Sequence, residues 1–330
     1  MSEAGAEFLL KNDPVEMAMA VPLDRKIEQG IAFFRHWAKQ RGKIVVCNSG
    51  GKDSAVIMKL AELAGIEFSS IYSVTTLDPP ELVTHIRKVY PDTVWIRQPK
   101  PLLKRLLDKT NGLPTRRARW CCQEYKETSE NTATKVIGVR AEESPRRKGL
   151  WRQVVVDNKN KDKIILCPIL YWTEKDVWEF IRLYNIPYCC LYDEGFSRLG
   201  CIGCPLAGAE HQKMEFERWP KFEKLWHKAA IGFFAKWVDV PLLRPRFIPE
   251  SELDHHWPAE DLIYDIRIKD GKPIEGFWTK RRYLSAYKSG EDYWRWWLNR
   301  KEPEEDECQG VFMFANNDTP TAEEKGGRGW

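Results

Sequence analysis

The chain has 330 residues, 43% of them hydrophobic and 30% charged, and a formal net charge of +4. Such a chain is globular and long enough for two domains or for one core with a large appendage. The charge is too small to argue for nucleic acid by itself, and no apolar run reaches the ~18 residues of a membrane span.

The first 21 residues carry Glu3, Glu7, Asp13 and Glu16 and no basic stretch ahead of an apolar one. No signal peptide is expected, and the segment reads as a loosely ordered lead-in. From Asp24 to Gln40, apolar Ile27, Ile31, Phe34 and Trp37 recur near helical spacing, which predicts an amphipathic helix closed at Arg41-Gly42. Ile44-Val45-Val46-Cys47 then reads as a buried strand, Asn48-Ser49-Gly50-Gly51 as a tight turn, and Lys52-Asp53-Ser54 as the start of a helix running to Ala64. Glycines let the backbone approach a ligand, and the turn's N–H groups together with the helix N-terminus make an anion site. Lys52 adds a point charge; Ser49 and Ser54 add hydroxyl donors. The spacing is not that of a Walker A loop.

Phe68 to Val74 predicts a second strand, followed by the loop Thr75-Thr76-Leu77-Asp78-Pro79-Pro80 and a helix from Glu81. Thr93–Ile96, Lys135–Val139 and Ile164–Leu166 read as further strands, with a helix opening at Leu102. Strands alternating with helical stretches imply βαβ units, and so an α/β fold with a Rossmann-like, doubly wound parallel sheet. Thr173 to Asp176 is patterned as a capping box before an amphipathic helix with Val177, Phe180 and Ile181. Residues 215–238 look helical with an interruption at Pro220, and Tyr283 to Leu298 predicts an aromatic helix. The organisation expected is a lead-in (1–22), a nucleotide-binding domain with a cysteine site (23–208), a mainly helical, aromatic-rich region (209–300) and a tail (301–330).

Nine cysteines without a secretory leader suggest metal or redox chemistry in a reducing cytoplasm. Two close pairs stand out, Cys121-Cys122 and Cys201-Ile202-Gly203-Cys204. Soft thiolates suit zinc and iron–sulfur clusters, and a Cys-x-x-Cys also fits a redox dithiol. Cys47 and Cys167 read as small core residues. Cys189-Cys190 reads as packing, with a sulfur-carrying pair as the alternative. His255-His256 reads as surface structure. Trp294, Trp296 and Trp297 have the spacing of a helix core, with base stacking as the alternative.

Ser49-Gly50-Gly51-Lys52-Asp53-Ser54 resembles the PP-loop of the adenine-nucleotide α-hydrolase families, where it holds the phosphates of ATP or of a sulfonucleotide. The paired cysteines resemble the set that binds a [4Fe–4S] cluster in adenylylsulfate reductases. The stretches around Gly112–Cys122 with Lys126, Val136–Ser144, and Pro168 through Asp176-Val177-Trp178 to Leu191-Tyr192 and Gly195 are similar to the same family in order. From about Gly42 to Gly208 the chain thus resembles the phosphoadenosine phosphosulfate reductase family. The resemblance implies nucleotide binding at Ser49, Gly50, Gly51, Lys52, Asp53, Ser54, Thr75, Gly138, Arg140 and Arg119, with Lys52, Asp53 and Arg140 catalytic. It implies a cluster on Cys121, Cys122, Cys201 and Cys204, ATP or a sulfonucleotide as ligand, and Mg²⁺. Arg116, Arg117 and Lys126, and Arg146 to Lys148 after the fourth strand, suit phosphate or sulfate, with a solvated basic face as the alternative.

The likeness stops at the tail. The reductases end in a mobile Glu-Cys-Gly-Leu-His segment; here the late cysteine, Cys308, stands in Asp306-Glu307-Cys308-Gln309-Gly310. The loop from Thr75 to Glu81 departs from the reductase wording as well. A related branch, containing the ATP pyrophosphatase subunits of DNA phosphorothioation systems, keeps the PP-loop and the four cysteines without that tail. The expectation is an ATP-using adenylation and sulfur-transfer enzyme, with adenylate-releasing chemistry, a cysteine desulfurase or other sulfur donor and DNA as candidate acceptor. A sulfonucleotide reductase and a nucleotide-binding regulator without turnover are the alternatives.

Overall fold

The computed structural model describes residues 13–108, 112–115, 118–127, 134–156, 162–238, 268–269, 272–273 and 287–299. The chain divides into two compact units, one of residues 1–102 and 121–204, the other of residues 103–120 and 205–330.

The first unit is built on six strands: β1 (Ile44–Cys47), β2 (Phe68–Val74), β3 (Val94–Arg97), β4 (Thr134–Val136), β5 (Val154–Val156) and β6 (Ile164–Leu166). Their order is β3-β2-β1-β4-β6-β5, all parallel except β5, which runs antiparallel to β6. This is the α/β, Rossmann-like doubly wound sheet that the sequence predicts. Strand order reverses between β1 and β4, so the crevice at their carboxyl ends is the topological switch point where ligands bind in such sheets. In β1, Ile44, Val45 and Val46 are fully buried, as a central parallel strand covered on both faces requires.

The helices of this unit are α1 (Pro14–Met19), α2 (Leu23–Arg41), α3 (Lys52–Ala64), α4 (Pro80–Val89), α5 (Leu102–Leu106, only its first residue here), α6 (Trp120–Cys122, its last two residues here), α7 (Pro145–Leu150) and α8 (Glu174–Leu183). Helix α3 packs against α2 and α8 and is apolar on nearly every side, with Val56, Ile57, Leu60 and Ala61 completely buried. The capping box opening α8 is present: Asp176 N–H donates to Thr173 Oγ1 at 3.1 Å and Thr173 N–H to Asp176 Oδ2 at 2.7 Å. Among the described residues, no helix is long and apolar enough to cross a membrane.

Two readings are corrected. Residues 13–19 are not loosely ordered: Asp13 caps α1 through Val15 N–H at 2.9 Å, and Val15 and Met19 pack on the small core of Ala141, Cys167 and Leu170. A six-residue helix is too short to show a period and is held by these distant contacts. Strand β5 escaped notice because three valines carry no alternation; its pairing with β6 defines it. The interruption expected at Pro220 is present: one helix ends at Arg218 and the next opens at Pro220, whose fixed φ and missing N–H suit the first helical position.

The second unit contains α9 (Ala209–Arg218), α10 (Pro220–Val238), a short antiparallel pair, β7 (Ile268–Lys269) with β8 (Lys272–Pro273), and α11 (Gly290–Asn299). Trp226 and Trp297 stack at 4.9 Å, and Trp297 Nε1 donates to Pro114 O at 2.8 Å. Tyr293 and Trp297 are completely buried and Trp294 nearly so. Tyr293, Trp294 and Trp297 are therefore core, and the base-stacking alternative falls for Trp294 and Trp297, while Trp296 is half-buried. Arg116, Arg117, His255, His256, Cys308 and the tail lie outside the described residues.

Candidate nucleotide and cysteine site

The turn after β1 is organised by Asn48. Its N–H donates to Ile71 O at 2.8 Å, its Oδ1 accepts Gly50 N–H at 2.9 Å, and its Nδ2 reaches Thr93 Oγ1 at 3.3 Å. One buried amide thereby ties the turn to β2 and to the start of β3. Gly50 sits at φ +72°, and a Cβ there would lie 2.6 Å from Leu82 Cδ1 and 2.7 Å from Ile86 Cγ1. Glycine is required on both counts. Gly51 N–H approaches Ser49 Oγ at 3.4 Å, and Ser54 Oγ lies 2.8 Å from Gly51 O. Within the first turn of α3, the N–H groups of Asp53 and Ser54 precede the first N–H that has an intrahelical acceptor, which makes them candidate anion donors.

The charges beside the turn form one chain of contacts. Arg140, only 4% exposed, donates through Nε to Asp53 Oδ1 at 2.6 Å and through Nη1 to Glu142 Oε2 at 2.6 Å. Glu142 Oε2 also accepts Glu174 N–H at 2.6 Å. Gly138 passes so close that an added Cβ would stand 3.0 Å from the Asp53 carbonyl. The end of β4 is thus pressed onto the first turn of α3 across the switch point. Lys52 is equally buried: its Nζ donates to Ser197 O at 2.8 Å and lies 3.4 Å from Glu174 Oε1, and its N–H donates to Tyr192 Oη at 2.8 Å. Burial pushes the Tyr192 phenol well above its usual range, although the Lys52 N–H favours the phenolate. At neutral pH the phenol is protonated.

The cysteine pairs come together in the same unit. Its Cys122 neighbour, burial, and the charges of Cys201 and Cys204 all raise the Cys121 thiol. Burial lifts Cys201 to about 12 against the pull of Lys126, with Asp78 and Cys204 adding to the rise. The same contacts act in reverse on Lys126, whose ammonium is held by Cys201 first, against burial, and then by Cys122, Asp78 and Cys204. Cys201 Sγ donates to Thr75 Oγ1 at 3.3 Å, and Thr75 N–H donates to Asp78 Oδ2 at 2.9 Å, so the loop after β2 touches the cysteine site. Four soft donors and a facing ammonium are a fitting donor set for a cluster of net negative charge. Among the described residues, no group of three or more His, Cys, Asp or Glu side chains is arranged around a single metal ion. A cubane offers four separate irons, so its thiolates need not converge on one point as those of a zinc site do.

Ser49, Gly50, Gly51, Lys52, Asp53, Ser54, Gly138 and Arg140 meet at the switch point, and Thr75 meets Cys201. Arg119 is exposed and belongs to the second unit. Arg147 pairs with Glu143, and Lys148 with Asp13 and Glu16, so the basic run after β4 is largely neutralised by its neighbours. Cys167 is fully buried; Cys189 is buried while Cys190 is exposed. Asn48, Tyr192, Glu142, Glu174 and Ser197 carry the geometry without having been assigned it. Asn48 alone had a local signal, a short amide just before Ser-Gly-Gly.

A glycine turn at the switch point, backed by buried charge and joined to paired cysteines, defines a PP-loop nucleotide-binding domain. Residues 43–207 match the phosphoadenosine phosphosulfate reductase domain, and the chain belongs to that family. It is 29% identical over 192 residues to adenosine 5′-phosphosulfate reductase 2 of Bacillus subtilis, covering 55% of this chain and 80% of that one. It is 31% identical over 229 residues to an uncharacterised protein of Methanocaldococcus jannaschii, covering 65% of this chain and 51% of its relative. Among solved structures, phosphoadenylyl-sulfate reductase from Candida auris aligns with a TM-score of 0.41 at 15% identity, over 54% of this chain and 93% of that one.

Proposed function

We propose that the protein is a cytoplasmic iron–sulfur PP-loop enzyme that binds ATP with Mg²⁺, releases pyrophosphate by adenylating an acceptor, and supports sulfur transfer of the DNA phosphorothioation type. The observation that carries this reading is the turn's set of donors, with Asp53 and Arg140, at the switch point of a unit that also gathers the four cysteines. The phosphates would be met by the N–H groups of Asp53 and Ser54 and the hydroxyls of Ser49 and Ser54. Mg²⁺ would be held by Asp53 with the phosphates, as this ion favours few carboxylates and many phosphate or water oxygens.

An acceptor oxygen attacks the α-phosphorus of ATP, the α–β anhydride bond breaks, and pyrophosphate leaves. Oriented donors at the turn stabilise the charge that develops on the leaving group. A sulfur nucleophile then attacks the adenylated centre and AMP departs; with a desulfurase persulfide as donor, a second thiol completes release by disulfide exchange. Cys121, Cys122, Cys201 and Cys204 would hold a [4Fe–4S] cluster, which supplies a polarisable redox centre cross-linking the two cysteine segments. Arg140 keeps Asp53 aligned beside the turn, and Gly138 lets β4 approach it.

The test is product analysis on anaerobically purified protein. ATP with DNA and a persulfide donor should give pyrophosphate and AMP. Iron and acid-labile sulfide should be present at about four each per chain, lost on Cys→Ser at any of the four positions. The similarity to adenosine 5′-phosphosulfate reductases favours a second reading, a sulfonucleotide reductase. That reading requires sulfite from adenylylsulfate and a thiol reductant, and its appearance without pyrophosphate release would replace the first. Nucleotide affinity with neither product would make the protein a binding module.

A further inference from the structure

Cys201 and Cys204 end an arm that begins at Leu191. Its root is fixed: Gly195 N–H donates to Tyr192 O at 3.2 Å, Phe196 N–H to Leu191 O at 3.1 Å, and both Leu191 and Phe196 are buried. Its far end is tied to the loop after β2, where Ile202 N–H donates to Leu77 O at 2.8 Å. Between these, Lys52 of the glycine turn makes two bonds to the arm. Its backbone N–H is taken by Tyr192 Oη and its ammonium by Ser197 O, each at 2.8 Å. The ring of Tyr192 lies 5.4 Å from the ammonium and packs edge-on to Trp178 at 5.1 Å.

These contacts place the Lys52 charge behind the turn, under the arm. A buried ammonium needs partners, and here they are a carbonyl of the arm and the Glu174 carboxylate. Moving it onto a phosphate would surrender both. Likewise, a phosphate oxygen drawn to the Lys52 N–H would compete with the Tyr192 hydroxyl.

We propose that Lys52 and Tyr192 are positioning residues that clasp the Leu191–Cys204 arm to the glycine turn, coupling nucleotide occupancy to the placement of Cys201 and Cys204. The coupling rests on the reading that the turn takes nucleotide phosphates; the clasp itself does not. Linkage requires reciprocity, so whatever nucleotide does to the cysteine arm, loosening the arm must do to nucleotide affinity.

Alkylation by iodoacetamide of the full-length protein, freed of iron by chelation so that Cys201 and Cys204 are unligated, followed residue by residue by mass spectrometry, tests both statements. Without nucleotide, Lys52→Met and Tyr192→Phe should each speed modification of Cys201 and Cys204 by about fivefold, the size expected for one lost hydrogen bond. Lys52→Arg, which keeps a donor for Ser197 O, should restore most of the protection. Cys167, fully buried, reports unfolding. Should it too accelerate in Lys52→Met, Tyr192→Phe decides, since that change removes a single oxygen. With saturating ATP the wild-type rates at Cys201 and Cys204 should change, and Tyr192→Phe should abolish that response. Unchanged rates in Tyr192→Phe without nucleotide would overturn the clasp. A clasp that stands while ATP leaves wild-type rates untouched would overturn the coupling. Neither outcome depends on whether pyrophosphate or sulfite is the product.

Discussion

Arg140 does at one point what three separate residues would otherwise have to do. Its planar fork spans Asp53 and Glu142, while its own N–H donates to Glu143 Oε2 at 3.0 Å. A lysine offers a point charge and cannot bridge two carboxylates in fixed directions. Arg140→Lys should therefore weaken ATP binding while preserving the fold, as titration calorimetry beside a thermal melt would register. Arg140→Met leaves the partly exposed carboxylates of Asp53 and Glu142 without their shared cation and should cost about 1 kcal/mol, since water can still reach both. Gly138→Ala sets a methyl 3.0 Å from backbone, where nothing can swing aside, and should cost about 1–3 kcal/mol with loss of nucleotide affinity. The glycine turn itself was legible because its residues are contiguous and each has a local reason to be there. The bond between Asp53 and Arg140 was not, although both were candidates, because a pairing across 87 positions leaves no mark in either neighbourhood. Tyr192 and Ser197 were unreadable for the same reason: their roles lie in what they touch.

Elements were legible in proportion to their length. Helix α2 was readable from its apolar stripe, and β2 agreed to the residue, whereas α1 and β5 are defined by what they pair with. The join between α2 and α8 shows a tertiary contact choosing between uses of one side chain. Asp176 closes the capping box of α8 and also takes the buried Lys26 ammonium at 2.5 Å. Burial pushes its carboxyl up, but the hydrogen bonds from Lys26 and Thr173 outweigh this and leave it below the usual range. A carboxyl depressed in the folded state contributes stability above its unfolded value of about 3.9, and that contribution is lost as pH falls through the folded value. Asp176→Asn should thus destabilise by about 3 kcal/mol at pH 7, where it strands Lys26 in the interior. The gap should close at pH values where wild-type Asp176 is itself protonated. Urea melts across that range decide it; a gap constant with pH would mean that the cap, not the charge, matters. In the second unit, Tyr293→Phe should cost about 1–3 kcal/mol, since the buried Leu113 N–H loses its acceptor at 2.9 Å.

For the whole molecule, the division between sulfur-transfer enzyme and sulfonucleotide reductase turns on the tail. A reductase of this family forms a covalent thiosulfonate on its tail cysteine, so the nucleophile must be a ready thiolate. Cys308 follows Glu304, Glu305, Asp306 and Glu307, and a thiolate forming beside them meets like charge at short range. It also lacks the Leu-His that completes the reductase ending. The glycine turn, the Asp53–Arg140 pair and the four cysteines are all assembled without it, inside one compact unit that ends at Cys204. Truncation near Pro303 should therefore leave pyrophosphate release from ATP within about twofold of wild type, because no group that the adenylation step uses has been removed. Cys308→Ser should behave the same way. Were the protein a reductase acting through its tail, both changes would abolish sulfite release while nucleotide affinity stayed intact, the pattern of a lost nucleophile in an intact pocket. Measured side by side on ATP and adenylylsulfate, the two variants separate the functions without relying on which substrate the wild-type protein turns over faster.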